Sequence, residues 1–135
     1  MNSEDNKQLV AHLYSEAAQG NNEPMMSAFA DDMVWTIIGS TPVSGTYDGL
    51  EEIRGILAPK LMSSFEATPR LIIDRLIAEG DQVVVLAHGE GGRTKNGTEY
   101  NNTYCHVLRL RDGKFIEFIE YCDTDLVMRA GLGQS

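Results

Sequence analysis

Apolar residues recur at helical spacing over residues 4 to 19, where Leu9, Val10, Leu13, Tyr14, Ala17 and Ala18 share one face. Ser3 is placed to cap this helix, Glu4 and Asp5 suit its first turn, and Gly20 ends it. A second short helix is expected from about Pro24 to Ala30, with Asp31 and Asp32 breaking it. The pattern then turns to strand over Met33–Ile38, followed by a turn-rich loop to Gly49. A third helix opens at Asp48 or Gly49, and Pro59 is expected to kink or end it. Strands follow over about 66–78 and 82–95, joined at Glu79-Gly80-Asp81, and Lys95-Asn96-Gly97 reads as a hairpin turn. Gly91-Gly92 suggests a bend in a long strand rather than a phosphate loop, because no helix follows.

The most informative stretch is Tyr100–Asp123, two alternating segments joined by Arg111-Asp112-Gly113-Lys114. One parity of the first segment holds Asn102, Tyr104, His106, Leu108 and Leu110. After the turn, either Ile116, Phe118, Glu120 and Cys122 share a face, or Phe115, Ile119, Tyr121 and Asp123 do. A face carrying Asn102, Tyr104 and His106 suits neither a plain core nor a plain surface, and is expected to line a pocket. A short helix closes the chain over Thr124–Gly131. The element order predicts one α+β domain spanning 1–135, with helices packed on a curved antiparallel sheet.

Composition narrows the partners. The net charge of -9 argues against nucleic-acid phosphates and anionic membranes. No apolar run approaches the roughly 20 residues of a membrane span, and the polar N-terminus does not read as a secretory signal. Cys105 and Cys122 fall on opposite parities, which predicts free thiols and a cytoplasmic protein.

The segments Tyr14–Trp35, Gly39–Arg54 and Arg109–Asp123 resemble the nuclear transport factor 2-like superfamily, in its SnoaL-like and ketosteroid-isomerase-like branch. The resemblance implies a cone-shaped fold in which a curved sheet and three N-terminal helices enclose a deep pocket, commonly in a homodimer. It places His88, Glu90, Asn102, Tyr104, His106, Phe118 and Glu120 on the concave face, with Trp35 and Tyr14 closing the pocket. The position matching the steroid isomerases' carboxylate base is Thr36, which cannot take a proton, so their mechanism is not expected here. Limonene-epoxide hydrolases are similar in another way: their basic and acidic residues match His88, Glu90 and Glu120, but their water-positioning residues match Trp35 and Ile37.

SnoaL-like cyclases use one acid near the last strand with a histidine beside it. Glu120 or Asp123 fits that acid, and His106 or His88 the partner. The expected enzyme is therefore an isomerase-, cyclase- or hydrolase-type catalyst that needs no cofactor. Glu120, His106, His88 and Glu90 are its catalytic candidates, and Trp35, Tyr14, Asn102, Tyr104, Phe118 and Asp123 its ligand contacts. Its partner is expected to be a small hydrophobic or amphipathic oxygenated molecule. The plainer alternatives are a binding protein without turnover and a dimerisation domain with a filled pocket. Asp123 also suits a helix cap, and His88 and His106 could simply pair with Glu90 and Glu120. A metal site is not expected, because no close His-x-His spacing occurs.

Overall fold

The alternating segments of the C-terminal half form the middle of a six-stranded sheet. Strand β7 (Thr103–Arg111) and strand β8 (Lys114–Cys122) pair antiparallel across a tight turn. Asp112 and Gly113 both adopt left-handed conformations there, φ 51° and 77°, as a two-residue hairpin requires. The computed structural model describes residues 1–134. Its other strands are β1 (Phe29–Ile37), β2 (Gly45–Asp48), β3 (Phe65–Ala67), β4 (Arg70–Glu79), β5 (Gln82–Glu90) and β6 (Arg93–Thr94). The main sheet runs β2-β1-β8-β7-β5-β4, and β3 and β6 form a small second sheet. Strand β1 lies parallel to β8, so the sheet is mixed rather than wholly antiparallel.

Helix α1 (Ser3–Ala18) packs along β4 and β5 through Val10, Leu13 and Tyr14. Its cap is Asn2 rather than Ser3: Asn2 and Asp5 form a reciprocal capping box. Helix α2 is Glu23–Ser27, shorter than the sequence pattern implied. Asp31 and Asp32 do not break the chain but lie exposed within β1, which therefore starts at Phe29. The turn-rich loop hides β2, whose Tyr47 is buried opposite Trp35.

The third helical region survives Pro59. It runs through α3 (Leu50–Glu52), a π-helical turn (Ile53–Leu57) and α4 (Ala58–Ser64). Proline cannot donate to the carbonyl four residues back and its ring crowds that carbonyl; the wider π turn just before it relieves the conflict without ending the helix. Helix α5 (Thr124–Ala130) is capped by Asp123, whose carboxylate accepts from the Asp125 and Leu126 amides.

The core lies between the helices and the concave face of the sheet. Val83, Val85, Leu108, Phe115 and Phe118 enter it from the strands, and Val10, Leu13, Ile53 and Leu57 from the helices. A bulge at Ile116 changes the parity of β8, so Phe115 and Phe118 both point inward. No helix among the described residues is long and apolar enough to cross a membrane.

Candidate active site

A cavity of about 310 Å³ opens between the helices and the concave sheet face. Tyr14 and Ala17 of α1, Met25 of α2, and Leu61 and Met62 of α4 form one side. Phe29 and Trp35 of β1, Tyr104 and His106 of β7, and Phe118 and Glu120 of β8 form the other. Phe65, Tyr100 and Leu132 complete the rim. The wall is mostly aromatic and aliphatic, and Trp35 stacks on Phe118 with ring centroids 4.4 Å apart.

One polar line crosses this apolar wall. His106 is 2% exposed, and its Nδ1 lies 2.7 Å from the Tyr14 hydroxyl. Burial first, and the negative charge of Glu120 second, hold the Tyr14 hydroxyl well above its ordinary pKa. Tyr14 is therefore a neutral phenol, and in the tautomer whose Nδ1 is unprotonated its O–H donates to His106 Nδ1. The remaining ring proton then sits on Nε2, which faces Glu120 Oε1 at 3.4 Å. That contact has an ion-pair distance but lacks hydrogen-bond alignment, so Nε2 is left as a buried N–H without a partner. Looseness of this kind is common at catalytic pairs before a ligand tightens them.

Sheet register explains the alignment. His106 is directly opposite Glu120 on β8, and Ile37 is beside Glu120 on β1. Glu120 is thus held between an imidazole and an aliphatic side chain, with only 16% of its side chain exposed. Burial, together with the charge of Glu120, also keeps the neighbouring Tyr104 hydroxyl protonated. Tyr100 is pushed up to about 12, chiefly by burial. Both phenols line the cavity in the protonated form, and the Tyr100 oxygen accepts from the Asn102 amide.

The structure separates the other candidates from this site. His88 and Glu90 do not face the cavity. In β5 it is Val83, Val85 and Ala87 that point inward, because Val85 pairs with His106 and Ala87 with Tyr104. His88 instead pairs with the exposed Thr103 on the outer face. Its Nδ1 is 2.9 Å from both Asp74 oxygens and its Nε2 is 2.9 Å from Glu90. Asp74 reaches it from a bulge in β4, and Arg70 joins Glu90 at 3.4 Å. The hydrolase-like trio His88, Glu90 and Glu120 is therefore divided between two faces of the sheet.

Both His88 nitrogens face carboxylates, which favours the imidazolium. The bonds to Asp74 and then Glu90 raise its pKa. A raised folded-state pKa stabilises the fold at pH values below the unfolded value and loses that contribution as pH rises through the folded one. The melting temperature should therefore fall from about pH 6 to pH 9 more steeply in the wild type than in His88→Gln. Parallel curves in a calorimetric pH series would remove the imidazolium.

Asn102 and Asp123 are structural. Asn102 is 1% exposed and does not line the cavity. Its amide donates to the Tyr100 hydroxyl and the Asp123 carbonyl, and its oxygen accepts from the Asp123 amide. It thereby fixes the turn from β8 into α5 and holds Tyr100 from behind. Tyr100 is also set by Gly92, whose carbonyl accepts from the Tyr100 amide. A Cβ at Gly92 would collide with the Tyr100 carbonyl oxygen, so only glycine allows this approach. Tyr100 has the parity of Asn102, Tyr104 and His106, and it lines the cavity although it precedes the first residue of β7.

A model of the SnoaL-like domain family matches residues 10–118. None of the curated proteins matches the chain significantly. Among solved structures, an NTF2-like protein from Burkholderia thailandensis E264 is 28% identical, with a TM-score of 0.77 over 96% of this chain and 98% of that one. A protein of Jannaschia sp. CCS1, assigned as a SnoaL-like polyketide cyclase, is 20% identical, with a TM-score of 0.73 over 98% and 94% of the two chains. TerC, co-crystallised with polyporic acid, is 25% identical, with a TM-score of 0.69 over 96% and 98%.

Proposed function

The chain belongs to the SnoaL-like domain family, and on that footing we propose that it is an acid/base catalyst acting on a small, largely apolar, oxygenated molecule. The observation that carries this reading is the line Tyr14–His106–Glu120, ending in a carboxylate inside an aromatic cavity. Glu120 removes a proton from the ligand at a carbon next to a carbonyl. The electron pair moves onto the carbonyl oxygen, where the Tyr104 and Tyr100 phenols donate to the developing negative charge. Glu120 then returns the proton elsewhere on the same framework, so no oxidant or cofactor enters the balance. Isomerase- and cyclase-type outcomes share this first step.

His106 is a positioning residue in this scheme: its Nε2–H orients Glu120, while Tyr14 fixes which nitrogen carries the proton. Trp35 and Phe118 supply the flat apolar wall on which the ligand lies. TerC, crystallised with polyporic acid, supports an organic oxygenated ligand in this fold. The test is whether a ketone that raises the melting temperature exchanges its acidic carbon-bound hydrogen with solvent deuterium, and whether Glu120→Gln stops it. Binding without exchange in the wild type would instead favour a non-catalytic carrier.

A homodimer belongs to the same proposal. The outer sheet face carries Ile77 and Tyr121, 52% and 44% exposed, among half-buried Val84, Leu86, Val107 and Ile119. Sizing chromatography at a monomer's volume would contradict it. Cytoplasmic residence is likewise proposed, supported by the free Cys105 and Cys122, which the register directs to opposite faces.

A further inference from the structure

Glu120 is the one acidic side chain lining the cavity, and no Lys or Arg lines it. Its one ion-pair contact among the described residues is His106, at 3.4 Å and without hydrogen-bond alignment. A carboxylate buried to this degree ordinarily has a cationic partner, because desolvating an unpaired charge is costly. The walls around it are of the kind that accepts a cation. Phe29, Trp35, Phe65, Tyr100, Tyr104 and Phe118 present six aromatic rings to a cavity of about 310 Å³. Ring faces attract a desolvated ammonium group through their negative quadrupole, and an aromatic cage closed by a carboxylate recognises organic ammonium ions.

We infer that this cavity is also a receptor for small organic ammonium ions, which pair with Glu120 while their alkyl or aryl groups lie against Trp35 and Phe118. The inference goes beyond the catalytic reading and needs no turnover. It shares with that reading the cavity, its Trp35–Phe118 wall and Glu120. An ammonium ion seated there occupies the carboxylate and blocks its action as a base.

The chain has a single tryptophan, Trp35, and it lines the cavity, so its fluorescence reports occupancy directly. Phenyltrimethylammonium and tert-butylbenzene have nearly the same shape and differ by one charge. The wild type should bind the cation at least about tenfold more tightly than the hydrocarbon. In Glu120→Gln, checked for an unchanged circular dichroism spectrum, that preference should shrink to about threefold or less, leaving the ring contribution. Equal affinity of the two probes in the wild type, or no binding of either, would overturn the inference without needing any variant. A preference unchanged in Glu120→Gln would overturn it as well. If the cation shows no preference while Glu120→Gln still abolishes proton exchange on a ketone, the receptor falls and the catalytic reading stands.

Discussion

Glu120→Gln should lower proton exchange on a bound ketone by about 10²- to 10⁴-fold, the usual contribution of a positioned acid/base group. Glutamine keeps the shape and the hydrogen-bonding oxygen of glutamate, so the fold and the affinity for a neutral ligand should change little. Glu120 cannot be replaced by a neighbour. The other ionisable groups lining the cavity are phenols held in the protonated form, and the imidazole of His106, whose free nitrogen carries its proton toward Glu120. Solvent deuterium incorporation, followed by mass spectrometry, measures the effect. Exchange within threefold of the wild type would place the base elsewhere.

Phe115→Ala should cost about 3–5 kcal/mol of stability, the range for removing a large aromatic side chain from a core. Phe115 is 0% exposed, lies against Phe29 and Phe118, and its amide bonds the Ala28 carbonyl. It therefore joins β8 to the entry of β1 at the one place where the sheet is parallel. The packing around it is constrained by the bulge at Ile116, so the hole cannot readily collapse. Urea denaturation should show a midpoint lower by at least about 1 M. A midpoint within about 0.3 M of the wild type would mean that the β1–β8 seam repacks freely.

The two mutations probe two positions on the inner face of one strand. Phe115 anchors β8 in the core, and five residues later Glu120 is delivered to the cavity. Alternation alone would set them on opposite faces, and the bulge at Ile116 between them brings both inward.

Much of this was legible in the sequence because β7 obeys a strict period and the turn into β8 names itself, while the bulge at Ile116 hid the inner face of β8. Tyr104 and His106 could be placed on one face from alternation alone, whereas two parities stayed open after the turn and the family resemblance put Phe118 and Glu120 on the concave face. His88 and Glu90 could not. Strand β5 is apolar on both parities, Val83-Val84-Val85-Leu86-Ala87, so alternation does not choose its inner face. The choice is made by pairing: Val85 sits opposite His106, a cross-strand relation that no local window contains. Strand β2 was hidden for a related reason. Four residues in a turn-rich loop become a strand only because β1 offers them an edge. Pro59 misled through a sound rule, since proline disfavours an α-helical turn, and the chain met the conflict with a π turn instead of a break. Tyr14 showed its helical face in the sequence, but its bond to a histidine 92 residues away did not show.

The nitrogen-15 spectrum of the His106 imidazole tests the central arrangement most directly. With Tyr14 donating to Nδ1, that nitrogen should resonate as unprotonated and Nε2 as protonated, and Tyr14→Phe should remove the distinction. A proton on Nδ1 and none on Nε2 in the wild type would mean that the ring turns a lone pair toward Glu120, and the carboxylate would then have no donor holding it in place.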